Sequence, residues 1–594
     1  QEWLMDLQMI LEGDLYETQP TVGEQQVLFE TADAEAKQRA LDLKDEHGFV
    51  NVDKLCERNP RLGLVQELAD RYQFHHWELE YADLFNRRGG FDLTIGNPPW
   101  VKVEWDEQGL LSDSEPKIAV RGWSNKKMSD NRMELIEENS LRGDYLTNYE
   151  ESEATQSFFN AQQNYPLLEG GKANTYKCFL PQGWRIGRHK GVTAFLHPDG
   201  IYDDPSGGDF RKAVYPRLRG HYQFQNQFKL FADIDNQNYY SVNIYQNARR
   251  NTVRFTNIVN LFTPRTIDAC FQHDGSGPVP GIKDENHDWN TEGHAQRIVT
   301  VDDEALRLFA TLYDEEGTPS REARLSAVHS EQILEVLEKF ASYPTSLSDF
   351  NDEYYSTYMW DEAKSQREGI IERDTQFISD LNDWVLSGPH FFVATPLNKN
   401  PRDPCTSNKA YDEIDLTKIP EDYLPRTNYV PACSREEYRR LASDIPWVSD
   451  GEDETVLDFY RFVNRRMFGA SAERSLVSTI APKEVGHIHT IVSTVFRDQY
   501  KLVNFSGVCS SVVHDFFVKT TGKNDLYESD LRKFPFPQRH EIALRALLLN
   551  CVTTHYSDLW EKTWQDAFTD DTWTKDDPRL PADTDFADLT GTWD

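Results

Sequence analysis

A doubly wound α/β fold is the class this sequence predicts, and three features point to it. Helical and strand-like stretches alternate between residues 174 and 245, as they do where strands are joined by packed helices. The run Phe91-Asp92-Leu93-Thr94-Ile95-Gly96 reads as a short buried strand. It stops at Asn97-Pro98-Pro99-Trp100, which continues neither a strand nor a helix. The length, 594 residues, suits about three to five domains with several cores.

The elements follow in order. Residues 1–73 form a helical segment or insertion: 24–73 are dominated by Ala, Glu, Lys, Leu and Arg, with apolar positions such as Leu41, Leu55, Leu64 and Leu68. Aromatic residues then cluster at 74–81, opening a predicted core over 74–265. Within it, 105–165 is polar and irregular, and reads as a long loop with helical pieces. Residues 174–184 read as a helix, 192–196 as a strand and 210–218 as a helix. Strands follow near 222–231 and 240–245. Residues 266–390 read as a helical, acidic connector. The prolines at 396, 401, 404, 420, 425 and 431 mark a boundary. Residues 391–545 form a second mixed region leaving through Phe534-Pro535-Phe536-Pro537, and 546–594 an acidic tail. No internal repeat is present.

Composition narrows the function classes. Lys plus Arg is 63 against 99 for Asp plus Glu, a net charge of −36, which taken alone argues against nucleic acid. The charge is uneven: residues 181–230 carry eight basic and four acidic residues, and 461–540 carry twelve and seven, so two basic islands sit in an acidic shell. No run of about 18 apolar residues appears, which excludes an ordinary transmembrane helix. The seven cysteines are dispersed and form no CxxC pair, so neither a disulfide framework nor a zinc site is expected, and a cytoplasmic location is. The chain begins Gln1-Glu2-Trp3, which suggests a processed or truncated product.

Asn97-Pro98-Pro99-Trp100 carries the chemistry. Two prolines make a rigid loop at the end of a strand, where open α/β sheets place ligands. The Asn oxygen and the Pro98 carbonyl are fixed acceptors for the two hydrogens of an exocyclic amino group, and Trp100 offers a stacking face for its ring. Accepting both hydrogens steers the nitrogen lone pair toward an electrophile. The ordinary alternative is a Pro-Pro turn after a strand.

At Gly90–Trp100 the sequence resembles the catalytic motif of amino-group DNA methyltransferases of the N6-adenine type, with Trp100 where most members carry Tyr or Phe. The resemblance implies a partial Rossmann-like methyltransferase sheet with helical insertions and a C-terminal mixed α/β target-recognition domain. It also implies S-adenosylmethionine as cofactor, double-stranded DNA with a flipped adenine as substrate, and direct methyl transfer. Tyr81-Ala82-Asp83-Leu84-Phe85 resembles the family segment whose Asp binds the cofactor's adenine, which assigns Asp83, Leu84 and Phe85 to the cofactor. Asn174-Thr175-Tyr176-Lys177-Cys178-Phe179 resembles the helix behind the cofactor pocket and adds Asn174. The family's glycine-rich cofactor loop is absent from residues 1–96. Its one rival, Asp274-Gly275-Ser276-Gly277-Pro278, reads as a surface loop, and the first strands are expected upstream of Gln1. Large members include type IIG restriction-modification enzymes and the methyltransferases of the BREX and DISARM phage-defence systems. The stretch 196–205 followed by 215–218 looks most like the DISARM type.

Arg465, Arg466, Arg474, Lys519 and Lys523, within the segment resembling a target-recognition domain, are the candidate DNA contacts. Pairing of these cations with the abundant carboxylates is the competing reading. No metal-ligand spacing and no nuclease motif is visible. A subunit that recognises DNA or serves as scaffold in a defence complex is the alternative function, and cytosine N4, RNA or a protein amide the alternative acceptor.

Overall fold

The computed structural model describes residues 51–593 apart from 59, 139, 169–173, 408, 449–453, 470–471, 522–524, 574 and 576–584. The helix expected over 24–50 and Lys523 lie outside the described residues. The chain divides into two compact units, residues 1–91 and 92–594.

In the first unit, helices cover Val52–Arg58, Pro60–Tyr72, Trp77–Glu80 and Ala82–Arg88. The ring of Phe91 receives Trp77, Tyr81 and Phe85 edge-on at 5.7, 5.3 and 5.9 Å. The aromatic cluster evident in the sequence is therefore a local packing nucleus.

The second unit is built on a six-stranded sheet. Its strands are β1 (Phe91–Gly96), β2 (Gly187–Pro198), β3 (Leu218–Gln225), β4 (Tyr239–Gln246), β5 (Arg254–Leu261) and β6 (Val299–Asp302), in the order β1-β2-β4-β3-β5-β6. The sheet is mixed, which corrects the doubly wound expectation. β4 runs antiparallel to both β2 and β3, β5 parallel to β3, and β6 antiparallel to β5. The cause is local. The chain leaves β3 through the turn Asn226–Phe228, and residues 226–238 contain no α-helix to carry it across a face of the sheet, so β4 returns antiparallel beside β3. The strand expected to reach residue 231 ends at 225. β1 is also less buried than its composition suggests, with Leu93 55% and Ile95 73% exposed.

Helix Thr175–Ile186 lies on the sheet with Tyr176, Cys178, Leu180, Trp184 and Ile186 buried. Its Gly183 sits where an added Cβ would be 2.9 Å from the Phe195 ring on β2, and a Cβ on Gly96 would be 3.4 Å from the same ring. Phe195 thus locks helix, β2 and the end of β1 together.

Residues 105–165 are not a loop. Helices Glu107–Ser114, Lys117–Val120, Asn125–Glu138 and Arg142–Asn160 enclose a small core of Leu111, Ile118, Met128, Leu135 and Ile136. Glu107 ties them together, accepting from Arg132 Nη2 at 2.9 Å and from the Tyr145 hydroxyl at 2.6 Å.

The segment 302–388 is α-helical at Asp303–Tyr313, Glu331–Ala341 and Glu362–Arg367, and the rest of it from Leu347 onward is short turns and strands. Tyr354–Thr357 belongs to a four-stranded sheet with Arg461–Arg465, Ser478–Ala481 and Ile491–Phe496. The acidic tail packs as well: Leu547, Tyr556, Leu559, Trp560, Phe568 and Phe586 are buried in the main core. No described helix is long and apolar enough to cross a membrane.

Candidate active site

Asn97-Pro98-Pro99-Trp100 follows β1 directly, and helix Thr175–Ile186 holds it. The Thr175 hydroxyl donates to the Pro99 carbonyl at 2.6 Å and accepts from Val101 N–H at 3.2 Å, while Thr175 N–H donates to the Val101 carbonyl at 3.0 Å. These bonds use Pro99 and Val101 and leave Asn97 alone. The Asn97 side chain is exposed, and among the described residues neither it nor the Pro98 carbonyl takes a hydrogen-bond partner. The fold spends neither acceptor on itself.

Trp100 turns inward. Its ring meets Phe231 at 5.5 Å and Tyr240 at 5.9 Å, and Phe231 meets Tyr240 edge-on at 5.0 Å. Phe224 stacks on Tyr240 at 5.6 Å from the far side. Phe231 is held by Asn226, whose buried amide donates to the Phe231 and Ile234 carbonyls at 2.8 and 2.9 Å and accepts from Phe231 N–H at 3.1 Å. Trp100 Nε1 and the Tyr240 hydroxyl are both buried without a partner, an arrangement that costs free energy unless something else completes it.

Beneath the aromatic group lies a polar network on β2, β3 and β4. Asp199 accepts from His221 Nε2 at 3.1 Å, Gln223 Nε2 at 2.5 Å and the Ser241 hydroxyl. Burial works against its charge, but His221, Ser241 and Gln223 outweigh it and hold the carboxyl below its ordinary pKa. His197 bonds the Tyr245 hydroxyl at 2.8 Å, and burial pushes its imidazole down to about 4. Pro198 pairs in register with Tyr240, so this network fixes the strand ends that carry the aromatic group. Sequence reading passed over Thr175 and Asn226 as functional residues and left Phe231 and Tyr240 unassigned. Polar residues recurring inside apolar strands (His197, His221, Ser241, Asn243) were the available signal.

The cofactor candidates are divided between the two units. Asn174 stands immediately before helix Thr175–Ile186, bridged to Lys102, with its side-chain oxygen buried and unpartnered. Among the described residues, this acceptor beside the Pro-Pro loop is open to an N–H donor. Asp83 lies in the first turn of helix Ala82–Arg88 in the first unit, exposed and 3.9 Å from Arg87, with Leu84 and Phe85 half-buried. The Asp274–Pro278 stretch follows helix Arg265–Gln272 rather than a strand, and Gly275 and Gly277 use positive φ of 86° and 81° for a plain turn. No strand–glycine-loop–helix cradle occurs among the described residues.

The described basic candidates, all half-buried, are engaged by groups of the protein itself. Arg465 Nε donates to the Gly388 carbonyl at 2.7 Å and its other arm to Phe391. Arg474 donates to the Ser510 and Ser511 carbonyls at 2.8 and 3.2 Å and lies 3.6 Å from Asp515. Lys519 is taken by Glu473 and Asp515, and Arg466 faces Asp525 at 3.4 Å. Guanidinium groups with unfilled backbone carbonyls nearby satisfy those first. No group of three or more potential metal ligands occurs among the described residues.

No family model and no curated protein matches the chain. Its neighbours among solved structures are restriction-modification enzymes. The type IIG restriction endonuclease BpuSI is 9% identical over 80% of this chain and 52% of that one, with a TM-score of 0.26. The type IIL restriction-modification enzyme MmeI in complex with DNA is 10% identical over 74% and 45%, with a TM-score of 0.28. The M protein of the type I restriction enzyme EcoKI is 14% identical over 29% and 44%, with a TM-score of 0.17. The chain spans about half the length of these proteins, and the likenesses transfer no residue role to it.

Proposed function

We propose that this chain carries the target-base half of an S-adenosylmethionine-dependent DNA methyltransferase acting on adenine N6, of the restriction-modification or phage-defence kind. The observation that carries the reading is the unspent pair of acceptors, Asn97 Oδ1 and the Pro98 carbonyl, on a loop pinned from behind by Thr175 and flanked by Trp100. In this mechanism the two acceptors take the N–H bonds of an extruded adenine's amino group, and the indole of Trp100 stacks on the base. Holding both hydrogens turns the nitrogen lone pair outward, and the acceptors gain strength as positive charge builds on that nitrogen. Asn174 would hold one edge of the cofactor, which supplies the methyl group. Asp83, Leu84 and Phe85 remain its proposed adenine contacts. The four inward-turned cations take no part in the proposal.

The test is Asn97→Ala with radiolabelled cofactor and duplex DNA, followed by analysis of the methylated base. Methyl transfer should vanish while the melting temperature holds. Near-normal rates would remove the assignment, and label on another acceptor would redirect it. A second reading, a DNA-recognition or scaffold subunit within a defence complex, is favoured by the lack of a strand–glycine-loop–helix cradle among the described residues. It predicts no cofactor binding by this chain in calorimetry.

A further inference from the structure

A second place in the fold is shaped for a ligand. Strand Tyr354–Thr357 ends the four-stranded sheet, and its free side borders a cleft of about 610 Å³ lined by Asn351, Tyr355, Tyr358, Tyr527, Ser529 and Arg532. Tyr354 forms its base, buried, with its hydroxyl donated to Glu528 at 2.9 Å. Tyr358 and Tyr527 form its mouth, meeting edge to face at 6.1 Å and 42% and 39% exposed. Large aromatic rings left this open against each other offer faces rather than core packing. The Asn351 and Ser529 side chains make no hydrogen bond within the described residues and are exposed.

Charge distinguishes among occupants. Tyrosine faces with one carboxylate, Glu528, would suit a cation. But Arg532 stands 3.8 Å from Glu528 and offsets its charge, while its own side chain is 44% exposed. A carboxylate already offset by a half-exposed guanidinium disfavours a cation, and Arg532 favours a planar group that brings an anion with it. A nucleotide has both parts: a π-face sequence-tolerant in its stacking, and a phosphate.

We propose that this cleft receives one unstacked nucleotide of a DNA strand, its base against Tyr358 and Tyr527, its edge toward Asn351 and Ser529, and its phosphate toward Arg532. The assignment rests on the DNA reading above, and it gives the mixed C-terminal region a contact with DNA other than the inward-turned arginines.

Fluorescence anisotropy with the full chain and a labelled oligothymidylate tests it. Tyr358→Ala and Tyr527→Ala should each weaken binding by about 5- to 150-fold, the range of base–aromatic stacking, and Tyr358→Phe should bind like wild type. Alanine variants that melt normally and bind normally would overturn the proposal, as would a wild-type chain that binds no oligonucleotide. Loss of binding to an oligoarginine peptide instead would assign the cleft to a cationic side chain and overturn it too. Methyl transfer measured in parallel separates the two readings. Alanine-sensitive oligonucleotide binding without any methyl transfer keeps the cleft and removes the activity. Methyl transfer with alanine-insensitive binding removes the cleft alone.

Discussion

Replacing Thr175 by Val should slow methyl transfer without unfolding the protein. Valine keeps the shape and helix Thr175–Ile186 but removes both the donor to the Pro99 carbonyl and the acceptor for Val101 N–H. A net hydrogen bond is worth about 0.5–1.5 kcal/mol, and groups this close to solvent regain part of it from water. A loss of about 1–2 kcal/mol in loop positioning follows. If all of it falls on the geometry of Asn97, turnover drops by roughly 5- to 30-fold. The assay is single-turnover methyl transfer with saturating DNA, beside a thermal melt. Thr175→Ser, which keeps the hydroxyl, should stay near wild type. A valine variant indistinguishable from the serine variant in rate would show that Thr175 does not position the loop, and the argument from unspent acceptors would lose its anchor.

Other changes test the surrounding structure. Gly183→Ala should displace the Phe195 ring, 2.9 Å from the added carbon, costing about 1–3 kcal/mol as overpacking does, and because Phe195 also touches Gly96 it should lower activity as well as denaturant midpoint. Arg465→Ala should cost about 2–4 kcal/mol by stranding the Gly388 and Phe391 carbonyls, with the salt dependence of DNA binding unchanged. A fall in the salt slope at normal stability would return Arg465 to the DNA surface. Acid should destabilise the fold through buried histidines: burial pushes His197, His390 and His514 down to about 4 and His487 to about 3. Since the unfolded chain binds these protons from about pH 6.5 downward and the folded chain does not, stability is full above that value and declines toward pH 4, by at most about 1.4 kcal/mol per pH unit for each group. Denaturant midpoints flat between pH 7 and pH 4.5 would contradict this.

What could be read from the sequence had local causes. Two prolines after an apolar run end a strand whatever surrounds them, and helix 175–186 announces its apolar face at helical spacing. The rest needed distant partners. Trp100 and Tyr240 meet only because β4 turns back between β2 and β3, and the connection over 226–238 carries no two-residue hairpin turn that would announce it. The helices of 107–160 read only as pieces within a loop because their core has five buried positions scattered among charged residues, too sparse a stripe to register as amphipathic. The partners of Arg465 and Arg474 were not legible for a different reason: long cationic side chains are mostly exposed, and the backbone carbonyls that meet them, at 388, 391, 510 and 511, are distant in sequence.

The four-stranded sheet at the C-terminal side has a bearing on how such a protein diversifies. The chain leaves it after Thr357 and re-enters at Arg461, and those two strands are separated by the single strand Ile491–Phe496, roughly 10 Å sideways. Everything between is an excursion whose two ends are already held close by a framework made elsewhere. Closing such an excursion becomes only slightly harder as it lengthens. Recombination could therefore resize the exposed turns within residues 359–460 while the framework strands, the side chains packed against them and the tyrosine cleft, Tyr358 included, keep their places.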